Sequence, residues 1–174
     1  MGKAGVDLEP PASIDKVDVV ERYEGDATTD FGAPGAIPAS DRRDISAAEL
    51  DRLIELQLAA WRTFDKAADG ARGKKLAPAG PRGGGRELEK IREHVKGADG
   101  GYTNAVGGRV PGGEAADAAT VQAAFVDAVR ARARGEVPDR GPRGGVRWPA
   151  RYAIRRSAWH ALDHAWEIED RARG

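Results

Sequence analysis

Apolar side chains along residues 46–172 recur at steps of three and four, the spacing of one buried face of an α-helix. The first stripe follows Ser46 and Glu49, which fit a capping box: the serine caps the helix start and the glutamate reaches back to it. Its members are Leu50, Leu53, Ile54, Gln57, Trp61, Phe64 and Ala68. The pattern predicts a first long helix that ends near Asp69-Gly70.

Three further helices are predicted from the same periodicity. The second begins after the glycines at 83–85 and runs to about Gly107, and the third spans roughly 115–134. The fourth has Pro149 at its first turn, where the missing N–H has no helical partner, and continues to near the C-terminus. Four such helices without a convincing strand predict an all-α fold, a four-helix bundle.

Residues 1–45 differ in character from the remainder of the chain. They are rich in proline, glycine and aspartate and have no helical period. We therefore expect two parts: an irregular N-terminal arm over 1–45 that packs on the bundle, and the bundle itself over 46–174.

Composition and charge exclude several classes of function. The chain has no cysteine, so disulfides and thiolate ligands are excluded, and a reacting thiol must come from a substrate or cofactor. Net charge is zero, with an acidic N-terminal portion and a basic remainder that we expect to pack together, which argues against a nucleic-acid partner. The sequence has neither an apolar run of bilayer length nor a hydrophobic signal region, and we expect a cytoplasmic protein without a membrane partner.

The three histidines have the placement of a metal site. His160 and His164 stand four apart, so on a helix they project from one face, with Cβ atoms roughly 5–6 Å apart. His94 lies beside the apolar stripe of the second predicted helix. Three imidazoles suit zinc, nickel, copper or iron and leave a coordination position open for water or substrate. The histidines therefore predict a reactive metal site in the bundle interior.

Residues near the histidines in sequence suggest supporting roles. Glu167 lies on the face of the histidine pair, and it is a better partner for a ligating histidine than Asp163, which points away. Three alternatives for Glu167 stay open: a fourth ligand, a general base acting on a water at the metal, or an ion pair with Arg171. Arg156 and Tyr102 are candidates, by position, for holding an anionic or carbonyl group of the substrate.

A Gly-Pro-Arg-Gly-Gly sequence precedes both helices that carry histidine. Two similar helix-entry loops explain it most simply. The functional alternative is that Arg82 or Arg143 lines an entrance for an anionic ligand.

These residues resemble the DinB/YfiT-like superfamily of small bacterial bundle proteins. The family carries one histidine on its second helix and a HxxxH pair on its fourth, which correspond here to His94, His160 and His164. The segments WHALDHAWEIEDR and HVKGADGGY are similar to segments of its members, and the resemblance covers roughly residues 46–172. It implies an up-down-down-up four-helix bundle with a divalent ion held between the second and fourth helices.

The resemblance leaves the reaction open. Its members include thiol-dependent transferases and isomerases, metal-dependent hydrolases and proteins without assigned activity. Our first hypothesis is a Zn²⁺- or Ni²⁺-dependent enzyme that activates water or a substrate thiol toward a small-molecule substrate, with a low-molecular-weight thiol as a further cofactor in the transferase case. The alternative is a non-catalytic, stress-associated metal-binding protein that interacts with partners. Exposed apolar residues on the bundle faces permit a homodimer.

Overall fold

The computed structural model describes residues 9, 11–30, 32–78 and 85–172, and these residues form helices and connecting turns. A one-turn helix, α1 (Ala27–Asp30), precedes four long helices: α2 (Ala47–Gly70), α3 (Leu88–Ala105), α4 (Ala118–Ala133) and α5 (Ala150–Ala172). The described residues form no strand beyond an isolated bridge between Arg140 and Val146. The all-α prediction is confirmed. Within the same ranges, no helix is both long enough and apolar enough to cross a membrane.

Helix α2 begins where its sequence predicts, one residue after Ser46. The Ser46 hydroxyl accepts a hydrogen bond from the Glu49 backbone N–H at 3.2 Å, which satisfies one of the free donors of the first turn. The Glu49 carboxylate does not serve the capping box as expected; it accepts instead from the Arg151 guanidinium at 2.9 Å. This residue therefore joins the first turns of α2 and α5.

The starts and ends of α3 and α4 are set by capping and by close backbone approach. Asp117 caps α4 by accepting from the Thr120 N–H at 2.8 Å, so the helix starts at Ala118 rather than near residue 115. Beyond the end of α3, a Cβ on Gly108 would collide with the Ala128 side chain of α4. Glycine is required there because the two helices approach closely.

The core lies between the four long helices, and α5 packs against each of the other three. Its largest fully buried apolar side chains come from all four helices: Trp61, Ile91, Phe125, Val129 and Ile168. Trp61 of α2 meets Phe125 of α4 edge-to-face, with ring centroids 5.7 Å apart. Burial of each such side chain contributes roughly 1.5–3 kcal/mol, so side-chain packing rather than helix propensity holds these helices together.

Residues 33–45 run along α5 and are bonded to its first half. Arg155 donates to the Asp41 carboxylate at 2.6 Å, and the Tyr152 hydroxyl donates to the Gly35 carbonyl at 3.1 Å. Helix α1 is capped by Asp26, whose carboxylate accepts from the Thr28 and Thr29 N–H groups. These contacts hold the chain before α2 beside the face of α5 that carries the histidines.

Candidate metal centre

The structure brings the three histidines of the chain together. His94 comes from α3, and His160 and His164 come from neighbouring turns of α5. One ring nitrogen from each of these residues lies within 4.8 Å of the other two. We call these three histidines the metal-binding group. The i, i+4 spacing puts the α5 pair on one face, with ring centroids 4.6 Å apart, and α3 supplies the third ring opposite them.

The closest pair of nitrogens has a separation that fits a shared ion. His160 Nε2 and His94 Nε2 are 3.2 Å apart. Two imidazole nitrogens that each bind zinc at roughly 2.0–2.1 Å in tetrahedral geometry are about 3.3 Å apart. The described residues of this group therefore fit a divalent cation with three nitrogen ligands.

The protonation state of the imidazoles also suits metal binding. Burial lowers the pKa of His160 to about 3, with the neighbouring His164, His94 and Arg156 acting in the same direction. Burial likewise lowers the pKa of His94, again with help from His164. Both rings are therefore neutral near pH 7, with a lone pair available, and a metal need not displace a proton to bind them.

Glu167 lies directly behind His164 and is buried. One carboxylate oxygen lies 2.7 Å from His164 Nδ1, and the other accepts from Arg171 at 2.8 Å. A carboxylate at Nδ1 favours the tautomer with its proton there, which leaves Nε2 of His164 free to act as a ligand. Two of the roles predicted for Glu167, partner of a histidine and ion pair with Arg171, are thus present together.

Arg171 fixes the position of this carboxylate. Its side chain is 1% exposed and donates to the carbonyls of Ala77, at 2.7 Å, and Arg86, at 2.8 Å, as well as to Glu167. The segments that follow α2 and precede α3 are thereby tied to the last turn of α5. Arg171 holds Glu167 in place, and Glu167 in turn orients His164.

His160 lacks such a partner among the described residues. Its Nδ1 atom is buried without a hydrogen bond, while its Nε2 faces His94. A buried polar atom without a partner costs free energy. The protein thus fixes the orientation of His164 through a carboxylate, whereas that of His160 depends on packing, with Tyr102 and Trp159 against its ring.

A cleft of about 650 Å³ opens beside the three imidazoles. Helices α3 and α5 form most of its wall, and residues from the segment before α2 complete it. The lining residues are Ala27, Thr28, Ala33, Arg86, His94, Ala98, Tyr102, Arg156, Trp159, His160, Asp163 and His164. A small molecule in this cleft would contact the histidines directly.

Arg156 and Tyr102, which were selected by position, both line this cleft. The Arg156 guanidinium stacks over the Trp159 ring at 5.0 Å. The Tyr102 and His160 ring centroids are 6.0 Å apart. Burial raises the pKa of Tyr102, opposed by the nearby charge of Arg156, so the phenol is protonated at neutral pH and can donate a hydrogen bond. Their roles in substrate binding stay predictions.

Several cleft residues were missed from the sequence. Arg86 lines the cleft, whereas Arg143 does not occur among its lining residues and Arg82 lies outside the described residues. Thr28 reaches the cleft from α1, a helix that was not predicted. Asp26 followed by two threonines was a usable capping signal for α1, but nothing local to the sequence indicates which surface that helix contacts.

A second buried polar group lies between α2, α3 and α5. Asp99 accepts from Trp61 Nε1 at 2.9 Å and from the Ser157 hydroxyl at 2.6 Å. Burial raises its pKa to about 7, although both hydrogen bonds oppose the shift. Gln57 is also fully buried, and its amide has no hydrogen-bond partner among the described residues. The sequence pattern puts Gln57 in an apolar stripe and does not single out Asp99.

Another cleft, of about 690 Å³, lies along α3 beside the connection to α4. The Gly97, Gly100 and Gly101 positions form part of its wall, together with the Glu93–Lys96 ion pair. Its described lining contains no histidine, so it does not share the metal-binding group.

Comparison of the chain with protein-family models, with curated proteins and with solved structures finds no match. Function must therefore be inferred from the chemistry of the site.

Proposed function

We propose that this protein is a divalent-metal-dependent enzyme in which His94, His160 and His164 hold the cation. The observation that carries this proposal is the position of the three imidazoles in the wall of a cleft of about 650 Å³. Structural metal sites are closed by four protein ligands, whereas catalytic sites keep a position open toward substrate. Zn²⁺ and Ni²⁺ are the metals we propose, because neutral imidazole suits both.

A bound divalent cation would supply Lewis-acid chemistry, lowering the pKa of a water or thiol that reaches it. The protein residues provide the rest. Glu167 holds the His164 ring in one orientation, and both of its oxygens are engaged in doing so. This favours a positioning role for Glu167 over the base or fourth-ligand role. Tyr102 lines the cleft beside Arg156, and its protonated hydroxyl can donate a hydrogen bond.

Two reaction classes fit this chemistry: hydrolysis, and transfer to or from a thiol. The chain has no cysteine, so in the second case a low-molecular-weight thiol enters as a co-substrate. The competing function is non-catalytic metal binding, in which the ion only cross-links α3 and α5. The open cleft favours catalysis over that alternative, since a purely structural ion does not require space for a substrate.

We also propose that the four long helices follow the up-down-down-up path of the DinB/YfiT-like superfamily. Arg151 bonds Glu49 at the start of α2, and the Arg171 carbonyl accepts from Ala77 just after α2, which supports parallel α2 and α5. The Trp148 N–H donates to the Ala105 carbonyl, which supports antiparallel α3 and α5. An ion pair between Asp51 and Arg130 supports antiparallel α2 and α4.

The proposed function is tested by metal content and activity measured together. Protein purified without chelator should contain about one divalent metal per chain by elemental analysis, and His160→Ala should contain none. The Zn²⁺- and Ni²⁺-loaded proteins are then screened for ester hydrolysis and thiol conjugation, with His160→Ala as the control. Wild-type protein that takes up neither metal refutes the metal site. Loaded protein without activity in either screen supports the non-catalytic alternative.

A further inference from the structure

We propose that the substrate of this site is a compact carboxylic acid whose carboxylate pairs with Arg156 while its reacting group lies at the imidazoles. This inference rests on the proposed function for the identity of the reactive centre. The binding of the anion itself depends on residues that do not belong to the metal-binding group.

Arg156 has the properties of a binding residue rather than of a surface charge. It is half-buried, its guanidinium carbon lies over the Trp159 ring at 5.0 Å from the centroid, and it lines the cleft. Its Nη1 atom is buried without a hydrogen-bond partner. No carboxylate of the described residues is within ion-pair distance of it, whereas the neighbouring Arg155 binds Asp41. Leaving a buried N–H unpaired costs free energy, which an arriving anion would recover.

A carboxylate matches the donor geometry of this group, as a phosphate also does. A guanidinium presents parallel N–H donors in a plane, and the two oxygens of a carboxylate accept from them as a pair. The contact with the Trp159 ring restricts the Arg156 side chain before a ligand arrives, so less side-chain freedom is lost on binding.

The helix spacing allows a compact substrate. Arg156 and His160 are four residues apart on α5, which puts their Cβ atoms roughly 5–6 Å apart on one face. Both residues line the cleft, so a small molecule can contact both at once. The cleft wall at this point is aromatic, with Tyr102 and Trp159, which suits a flat or unsaturated body.

The remaining charges of the cleft favour an anion. Arg86 lines it as well, just before α3, so two guanidinium groups flank the histidines. Among the described lining residues Asp163 is the one acid, and it has an interaction of its own. An anionic substrate would be attracted by this arrangement, whereas a cationic one would be repelled.

The test is calorimetric titration of Zn²⁺-loaded protein with benzoate, phenylacetate and 3-phenylpropionate, each paired with its neutral amide. We expect at least one acid to bind at least tenfold more tightly than its amide. Arg156→Met should weaken that binding at least tenfold with unchanged zinc content. Arg134→Met is the matched control, because Arg134 is a surface residue paired with Glu136. This variant should bind the acid as tightly as wild type does.

The inference is overturned if no acid binds, if acids and amides bind equally, or if Arg156→Met binds the acid as wild type does. Should Arg156→Met fail to fold by circular dichroism, Arg156→Lys replaces it, since lysine keeps the charge but loses the paired donors and should bind severalfold more weakly. Protein that binds the acid but retains no zinc refutes the proposed function alone. Protein that retains zinc but does not discriminate acid from amide refutes this inference alone.

Discussion

The two oxygens of one carboxylate, that of Glu167, act on different parts of the molecule. Oε2 meets Nδ1 of His164, which directs the other ring nitrogen toward the metal-binding group, while Oε1 accepts from Arg171. A buried carboxylate is tolerated only when its charge is paired and its oxygens are hydrogen-bonded, and both conditions hold here. The orientation of a candidate ligand thus depends on a residue that lies outside the cleft.

Replacement of Glu167 by glutamine should weaken zinc binding by roughly 10–100-fold, because the amide is a poorer acceptor for the ligating histidine and is uncharged. Competition titration against a zinc chelator measures the change. Glu93→Gln is the matched control, since this acid adjoins His94 but forms an exposed pair with Lys96. Equal zinc affinities for the two variants would show that Glu167 does not support zinc binding.

At the scale of single elements, α5 supplies two of the three histidines and also the contacts that hold the site in place. Its first half bonds the segment before α2 through Tyr152 and Arg155, and its last turn bonds the segments around residues 77 and 86 through Arg171. The histidines lie between these two anchor points. The helix is therefore fixed at both ends relative to α3, which supplies the third imidazole.

Arg171→Met should destabilise the protein by about 3–5 kcal/mol, because it leaves the Glu167 carboxylate without its buried counter-charge and two carbonyls without a donor. Chemical denaturation of the metal-free protein measures the loss. Arg130→Met removes an exposed ion pair with Asp51 and should cost at most about 1 kcal/mol. Similar losses in the two variants would show that the Arg171 network contributes no more than a surface pair.

Asp99 should make stability depend on pH. Its folded-state pKa of about 7 lies above the ordinary value of 3.8, so between these values the folded protein holds a proton that the unfolded chain has lost. The free energy of unfolding from this group therefore falls as pH rises from about 4 to 7, by roughly 4 kcal/mol at 1.36 kcal/mol per pKa unit.

Asp99→Asn isolates this effect, since the amide can accept from Trp61, donate to the Ser157 oxygen and not ionise. Both proteins are denatured at several pH values. As pH rises, the unfolding free energy of wild type should fall relative to that of Asp99→Asn. His160, with its lowered pKa, changes stability in the opposite sense, but it does so in both proteins and cancels in the difference. Metal-free samples are used because metal binding would add a pH dependence of its own. A constant difference from pH 4 to 7 would contradict the raised pKa.

The sequence predicted the elements well because their signals are local. Stripes at three- and four-residue steps located α2 to α5, and the i, i+4 pair located two of the three histidines of the metal-binding group. The start of α4 was misjudged by about three residues, since Asp117 as a cap was overlooked. The contacts of Arg86, Thr28 and Asp99 are between distant segments, and no local pattern records which segment a side chain will meet.

On the scale of the whole molecule, the candidate centre cross-links two helices, and the described segment before α2 covers one side of it. An ion held by α3 and α5 together binds the folded chain and not the unfolded one. Metal binding should therefore be linked to folding, as for any ligand of the native state.

Zinc in large excess over its dissociation constant should raise the thermal midpoint. At a thousandfold excess the linkage contributes about 4 kcal/mol, or roughly 8–16 °C for a domain of this size. Scanning calorimetry with zinc and with chelator measures the shift, and His94→Ala, altered on α3 alone, should show almost none. A shift in this variant equal to that of wild type would mean that zinc stabilises the protein by binding at another site.

The central claim is that three imidazoles bind one cation, and X-ray absorption at the zinc edge of the loaded protein tests it most directly. We expect nitrogen donors at about 2.0–2.1 Å and the multiple-scattering pattern of three imidazole rings, a pattern that His94→Ala, which should bind zinc only weakly, should not show. A spectrum of oxygen donors alone, or one that does not change in this variant, would contradict the account.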